Sequence, residues 1–142
     1  MHTVADLLAE RKTEAVVWIE PLAGVHDALR MMNELNCGAL LVQIEDSLVG
    51  IVSERDYVRK VILYAHDTSK LKVSEIMTRD VVTVTSEDTV VHCVALMRKH
   101  HVRHLPVVEA GTAIGMVSLR DLFLDVIHEK FAEQGIVEEE EA

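Results

Sequence analysis

Aromatic residues are scarce in this chain, at 4% of the sequence, although hydrophobic residues make up 49%. The core must therefore be assembled from Val, Leu, Ile, Ala and Met, and a chain this apolar buries a core rather than staying disordered. Basic residues are also few: 14 Lys and Arg stand against 24 Asp and Glu, a net charge of -10. That balance excludes the basic surface that non-specific nucleic-acid binding requires. Part of the acidic excess is local, a run of four glutamates at 138–141 that reads as a solvated, frayed tail. Cysteine occurs only as Cys37 and Cys93, each alone in an apolar-patterned segment. This is neither a disulfide framework nor a zinc spacing, and it fits a reducing cytoplasm. The opening Met1-His2-Thr3-Val4-Ala5-Asp6 lacks a basic n-region and an apolar h-region, and no run reaches the ~18 apolar residues of a membrane span. Neither a signal peptide nor a membrane segment is expected.

What the sequence does contain is a repeat. Gly50-Ile51-Val52-Ser53-Glu54-Arg55-Asp56 recurs 65 residues later as Gly115-Met116-Val117-Ser118-Leu119-Arg120-Asp121. The same shift places Val16-Val17 on Val81-Val82, Val25 on Val90, Met32 on Met97, Leu40 on Leu105, Val42 on Val107 and Val61-Ile62 on Val126-Ile127. A single fixed shift, longer than common solenoid periods, reads as one duplication rather than an open array. The opening segments obey a different shift, with Val4-Ala5-Asp6-Leu7-Leu8 matching Val73-Ser74-Glu75-Ile76-Met77, so the first copy carries extra residues in a polar loop near 11–14. The organisation expected is a first repeat over 1–64, a connector over 65–72, a second repeat over 73–128, and a helix end with the acidic tail over 129–142.

Each copy follows the same grammar. A short helix carries Val4, Leu7 and Leu8 in one copy and Val73, Ile76 and Met77 in the other, with Thr3 and Asp6 forming a capping box for the first. Short strands are expected at 16–19 and 81–84. Amphipathic helices follow, with stripes Val25, Ala28, Leu29, Met32, Leu35 and Val90, Cys93, Val94, Met97. Pro21 suits the first turn of one, and Thr85 with Asp88 can cap the other. Two strands then lead to a last helix beginning at Ser53 or Ser118. Its apolar positions are Tyr57, Val58, Val61, Ile62 and Ala65, or Leu122, Phe123, Val126, Ile127 and Phe131, and Gly135 is a plausible stop. Interleaved helices and strands imply an α/β fold.

The repeated motif has two readings. Ser at an N-cap with Asp three residues on satisfies free backbone N–H groups and complements the helix dipole, which alone explains those residue types. The motif also occurs twice, with Arg55 or Arg120 in the same turn. Such a strand-to-helix turn offers N–H groups and a positive dipole end to an anion. A carboxylate suits a ribose diol, and Ser with Arg suits a phosphate, so the set also describes a ribose-phosphate clamp.

At this point the chain resembles the CBS-domain family. The carriers are Val73-Ser74-Glu75-Ile76-Met77-Thr78, Val81-Val82-Thr83-Val84, Arg103-His104-Leu105-Pro106-Val107 and the two Gly-h-h-Ser-x-x-Asp turns, and the match runs from about Val4 to His128. The resemblance implies two tandem repeats of β-α-β-β-α, each leading helix packed on the partner repeat, in a pseudo-twofold (Bateman) module. It implies clefts for adenosyl ligands: AMP, ADP or ATP, with NAD or S-adenosylmethionine also known in the family. Asp56 and Asp121 would then hold ribose hydroxyls, Ser53 and Ser118 would touch phosphate, and the backbone at Val17 and Val82 would face the base. A homodimer signalling to an effector protein is the implied assembly. One departure is instructive: the second copy has Arg103, His104 and Pro106 where the first has Gly38, Ala39 and Leu41. Two unequal sites are expected.

Other candidates have plainer readings. His100-His101-x-x-His104 invites a metal, but the repeat puts a helix end at His100-His101, and His104 reads as an ordinary histidine or a ligand contact. Arg59-Lys60 and Arg98-Lys99 read as solvated helix faces, with a phosphate contact from Arg59 or Lys60 as the alternative. Cys37 and Cys93 read as small core residues. Trp18, where the second copy has Thr83, suits surface packing, a base or a dimer contact. No nucleophile–base–orienter set is visible, so no enzymatic activity is expected.

Overall fold

Alternating helical and strand periodicity should give the same elements twice. The computed structural model, which describes residues 2–10, 16–63 and 67–135, bears this out for most elements, the strand at 81–84 and the form of the last helices being the exceptions. In chain order the elements are α1 (Val4–Ala9), β1 (Trp18–Ile19), α2 (Val25–Leu35), β2 (Ala39–Ile44), β3 (Ser47–Ser53) and α3 (Glu54–Asp56), which runs on as a π-helical segment (Tyr57–Ile62). A 3-10 turn (Thr68–Lys70), α4 (Val73–Ile76), α5 (Val90–His100), β4 (His104–Glu109), β5 (Thr112–Ser118) and α6 (Leu119–Glu133) follow. α2 and α5, β2 and β4, and β3 and β5 begin and end at equivalent positions of the 65-residue shift. So do the left-handed residues Asn36 with His101 and Glu45 with Ala110. Gly135, with φ +70°, follows the end of α6 as expected. The loop expected near 11–14, Ala65 and the tail at 138–141 lie outside the described residues.

The chain forms two units, and the leading helices are exchanged between the copies. One unit comprises Val16–Val81 with Ala110–Ala113; the other holds Val82–Glu109 and the chain from Ile114, together with the N-terminal segment that carries α1. The first core joins Val25, Met32, Leu40, Val42, Val52 and Val61 to Val73, Ile76 and Met77, the leading segment of the second copy. The second core joins Val90, Cys93, Met97, Leu105, Val107, Val117 and Leu122 to Val4 and Leu7 of the first copy. Val4 and Val73 are completely buried, and a valine so placed contributes about 1.5–3 kcal/mol.

Backbone hydrogen bonds make the exchange specific. Val4 N donates to Asp88 O at 2.8 Å and Ala5 N to Ser86 O at 2.9 Å, while Val90 N donates to His2 O at 3.0 Å. The first unit repeats the set: Val73 N to Ala23 O at 2.8 Å, Ser74 N to Pro21 O at 2.9 Å and Val25 N to Leu71 O at 3.0 Å. First-turn amides of a helix have no partner within it, and here the preceding loop of the other copy supplies one. This corrects two expected caps. Pro21 is not in the first turn of α2, and Thr85 with Asp88 does not cap α5. The helices start later, behind Gly24 and Thr89, with Thr89 Oγ1 accepting from His92 N at 3.1 Å. Thr85 and Asp88 instead bond to each other in the turn before it. The Thr3–Asp6 capping box forms as expected.

In the first unit β1 runs parallel to β2, and β2 antiparallel to β3. The chain after α4 adds to the open edge, where Ile51 and Thr78 exchange both backbone hydrogen bonds. The second unit pairs β4 with β5, but the strand expected at 81–84 shrinks to one parallel bridge between Val84 and Val107. The cause is Pro106. At the equivalent place Leu41 N donates to Val17 O at 3.3 Å; proline has no N–H to give Val82. The last helices also differ, α6 being one regular helix where α3 widens into a π turn.

The motif glycines are explained by the same exchange. A Cβ on Gly50 would lie 2.7 Å from Met77 Sδ and 3.0 Å from the Thr78 carbonyl oxygen, whereas on Gly115 it would meet only the end of the Leu8 side chain at 3.0 Å. Backbone cannot yield as a leucine terminus can. Gly50→Ala is expected to lose about 1–3 kcal/mol of stability by overpacking, and Gly115→Ala less than about 1 kcal/mol. Urea unfolding of both variants checks the order; equal losses would contradict it.

Candidate functional site

The candidate site consists of two strand-to-helix turns, one in each unit. In the first, β3 ends at Ser53 in extended geometry and α3 begins. Ser53 N donates to Asp56 Oδ2 at 2.9 Å, Ser53 Oγ donates to the same oxygen at 3.1 Å, and Asp56 N donates back to Ser53 Oγ at 3.1 Å. Glu54 N donates to Gly38 O at 3.1 Å. The second turn repeats this between β5 and α6: Ser118 N to Asp121 Oδ2 at 2.9 Å, Asp121 N to Ser118 Oγ at 3.1 Å, and Leu119 N to Arg103 O at 2.8 Å.

These bonds revise the anion argument. The amides of the N-cap, first and third helical residues are already engaged within the chain in both turns. The dipole end remains, but a phosphate cannot take those N–H groups without opening the capping box or the bond to Gly38 or Arg103. The identities of the motif can then be sorted by cause. Gly50 is required by the leading segment while Gly115 faces only the end of the Leu8 side chain, Val52 and Val117 are buried in the cores, and Ser and Asp form the caps. Arg55 and Arg120 occupy the second helical position of each turn.

The remaining expected residues gather around these turns unequally. In the first unit Val17 is partly buried against the core and bonded to Leu41. Asp56, its side chain 13% exposed, also pairs with Lys60 Nζ at 3.1 Å and accepts from Thr78 Oγ1 at 3.5 Å. Lys60 further donates to Ile76 O at 2.8 Å. Lys60 is therefore not the simple solvated residue expected: its charge sits on the carboxylate of the motif and the end of α4. The sequence signal for it was the four-residue spacing from Asp56. Thr78 had no such signal, because only the exchanged α4 brings it there.

In the second unit the expected residues converge from β4 and the start of α6. Arg103 precedes β4 and holds Leu119 through its carbonyl. His104 opens β4, half-buried, and burial pushes its pKa below the usual imidazole value; Asp121 nearby opposes that shift and Arg103 adds to it. Pro106 is buried, with its carbonyl accepting from Val84 N at 3.0 Å, and Val82 packs against the core edge. His100 ends α5, His101 is its left-handed cap, and His104 lies on a strand, so the three do not share a helix face. Cys93 is a buried free thiol, pushed up to about 11 by desolvation; Cys37, half-buried, is raised for the same reason. Trp18 is 40% exposed on β1. Among the described residues no helix is long and apolar enough to cross a membrane.

Comparison with known proteins agrees with this architecture. The sequence profile of the CBS domain matches residues 4–63 and 73–128. The chain is 36% identical over 135 residues to the mitochondrial CBS domain-containing protein CBSX3 of Arabidopsis thaliana, a match that covers 89% of this chain and 66% of that protein. The crystal structure of the CBS domain NE2398 superposes with a TM-score of 0.84 at 44% identity, covering 89% of this chain and 99% of the other. The CBS domain pair of MJ0100, solved in complex with 5′-methylthioadenosine and S-adenosyl-L-methionine, has the same fold with a TM-score of 0.75 at 23% identity, covering 94% of this chain and 98% of that one. Two tandem copies, each with its own capped turn and each completed by the other's leading helix, make the chain a member of the CBS-domain family.

Proposed function

We propose that this chain is a regulatory module that binds an adenosyl nucleotide of the AMP, ADP or ATP type and passes the change to an effector protein, acting as a homodimer without catalysis of its own. NAD and S-adenosylmethionine are the neighbouring ligand choices. The observation that carries the reading is Arg55 with Arg120: the same cation in the same first turn of both copies, beside the Ser–Asp pair. Arginine suits phosphate, and Asp56 or Asp121 beside it suits a ribose diol. The bound ligands of the MJ0100 pair support the adenosyl class. The free cysteines suit a reducing, cytoplasmic setting.

The second turn is the stronger candidate. Arg103 and His104 add basic side chains beside Asp121. Pro106 also leaves the Val82 carbonyl without the strand bond that Val17 makes, which suits a base at that backbone. In the first turn Asp56 is tied by Lys60. A second reading, a dimerisation and docking module with degenerate sites, is favoured by the exposed apolar residues Val91, Val94, Phe123 and Val126.

Calorimetric titration with AMP, ADP, ATP, NAD and S-adenosylmethionine separates the two readings. One of them is expected to bind and, at about a hundredfold excess over Kd, to add about 2.7 kcal/mol of stability. Arg120→Ala should weaken binding at least tenfold with unfolding unchanged; absence of binding by all five ligands at millimolar concentration leaves the docking module. His104 gives a pH signature. Its folded pKa lies below the unfolded value, so the unfolded state takes up the proton first and stability declines as pH falls through about 6.5. The difference in urea midpoint between pH 7.5 and 5.5 should be smaller for His104→Asn than for the wild type, and an identical difference would rule the burial effect out.

A further inference from the structure

Away from the two turns, His2, Glu10 and Asp125 form a cluster of metal-ligating side chains within the unit that holds the second copy. His2 precedes α1, Glu10 caps its C-terminus, and Asp125 lies in the middle of α6. His2 Nδ1 stands 2.8 Å from Oδ1 and 3.0 Å from Oδ2 of Asp125, and one ligand atom from each of the three residues lies within 4.8 Å of the others. The Asp125 side chain is only 7% exposed. A carboxylate that deep needs a hydrogen-bonded or charged partner, and His2 stands at hydrogen-bond distance.

We propose that His2, Glu10 and Asp125 bind one divalent transition-metal ion, with Zn²⁺ the best-suited probe. Two ligands about 2.1 Å from a tetrahedral ion lie roughly 3.4 Å apart, so the spacing of the cluster needs only small side-chain adjustment. One imidazole nitrogen and two carboxylate oxygens, with no thiolate, suit Zn²⁺ or Mn²⁺ rather than a soft cuprous ion. Two carboxylates against one imidazole also leave negative charge for a dication to neutralise.

The repeat supplies an independent argument. Asp125 occupies the position of Lys60 in the first copy. There the ammonium fastens the leading helix α4 by its bond to Ile76 O. The same position therefore faces the leading helix in both units, carrying its own cation in one and an anion in the other. In the second unit His2 meets that anion, and a bound ion shared with Glu10 would add to it, stapling α1 to α6 across 123 residues of sequence.

The test uses the untagged full chain stripped with a chelator. Titration with ZnCl₂ should give one saturable site per chain and a raised Tm, MnCl₂ a weaker one, and MgCl₂ little heat. Asp125→Asn and Glu10→Gln should each lower Zn²⁺ affinity about tenfold or more. Glu10 is exposed at the end of α1, so its variant keeps the metal-free Tm of the wild type even if Asp125→Asn does not. Replacing His100 and His101 with Gln should leave the site intact. No saturable Zn²⁺ binding, binding that survives both carboxylate changes, or binding that disappears with His100 and His101 overturns the proposal.

Discussion

The exchange of leading helices is the constraint on which the rest of the structure depends. Each core is incomplete without residues from the other copy: Val73, Ile76 and Met77 on one side, Val4 and Leu7 on the other. Three backbone hydrogen bonds repeat at equivalent positions in the two units and join each borrowed helix to its host. They answer a problem every short helix has, the unpartnered amides of its first turn. They also explain details that look unrelated. Pro21 stays outside α2 because its carbonyl serves α4, and Gly50 stays a glycine because Met77 and Thr78 lie against it.

The capped turns show how one residue set serves folding while carrying the groups on which the proposed ligand reading draws. Ser53 with Asp56, and Ser118 with Asp121, satisfy the amides at the start of α3 and α6. That is sufficient cause for serine and aspartate at those positions, and it removes several N–H groups from any phosphate. Each turn also carries an arginine, Arg55 or Arg120, and the functional argument rests on that repeated cation.

The duplication kept its backbone frame and diverged in its side chains. Pro106 in place of Leu41 costs the second unit a strand hydrogen bond and frees the Val82 carbonyl from that role. Asp125 in place of Lys60 reverses the charge beside a leading helix. Both changes are single residues, yet each alters the polar groups presented at an otherwise repeated position.

The repeat, the alternation of helices and strands, the composition of the cores and the Ser–Asp caps were legible from the chain alone. Those features are set by local periodicity and by hydrogen bonds spanning three residues. Tertiary structure decided what depends on distant partners. The starts of α2 and α5 moved because loop carbonyls were claimed by helices from the other copy, and the strand at 81–84 contracted because its partner was a proline. Lys60 left its solvated face for Asp56 and Ile76, and His2 met Asp125 from the far end of the chain. Local sequence encodes which residues can bond, but the exchange of helices determines which of them meet.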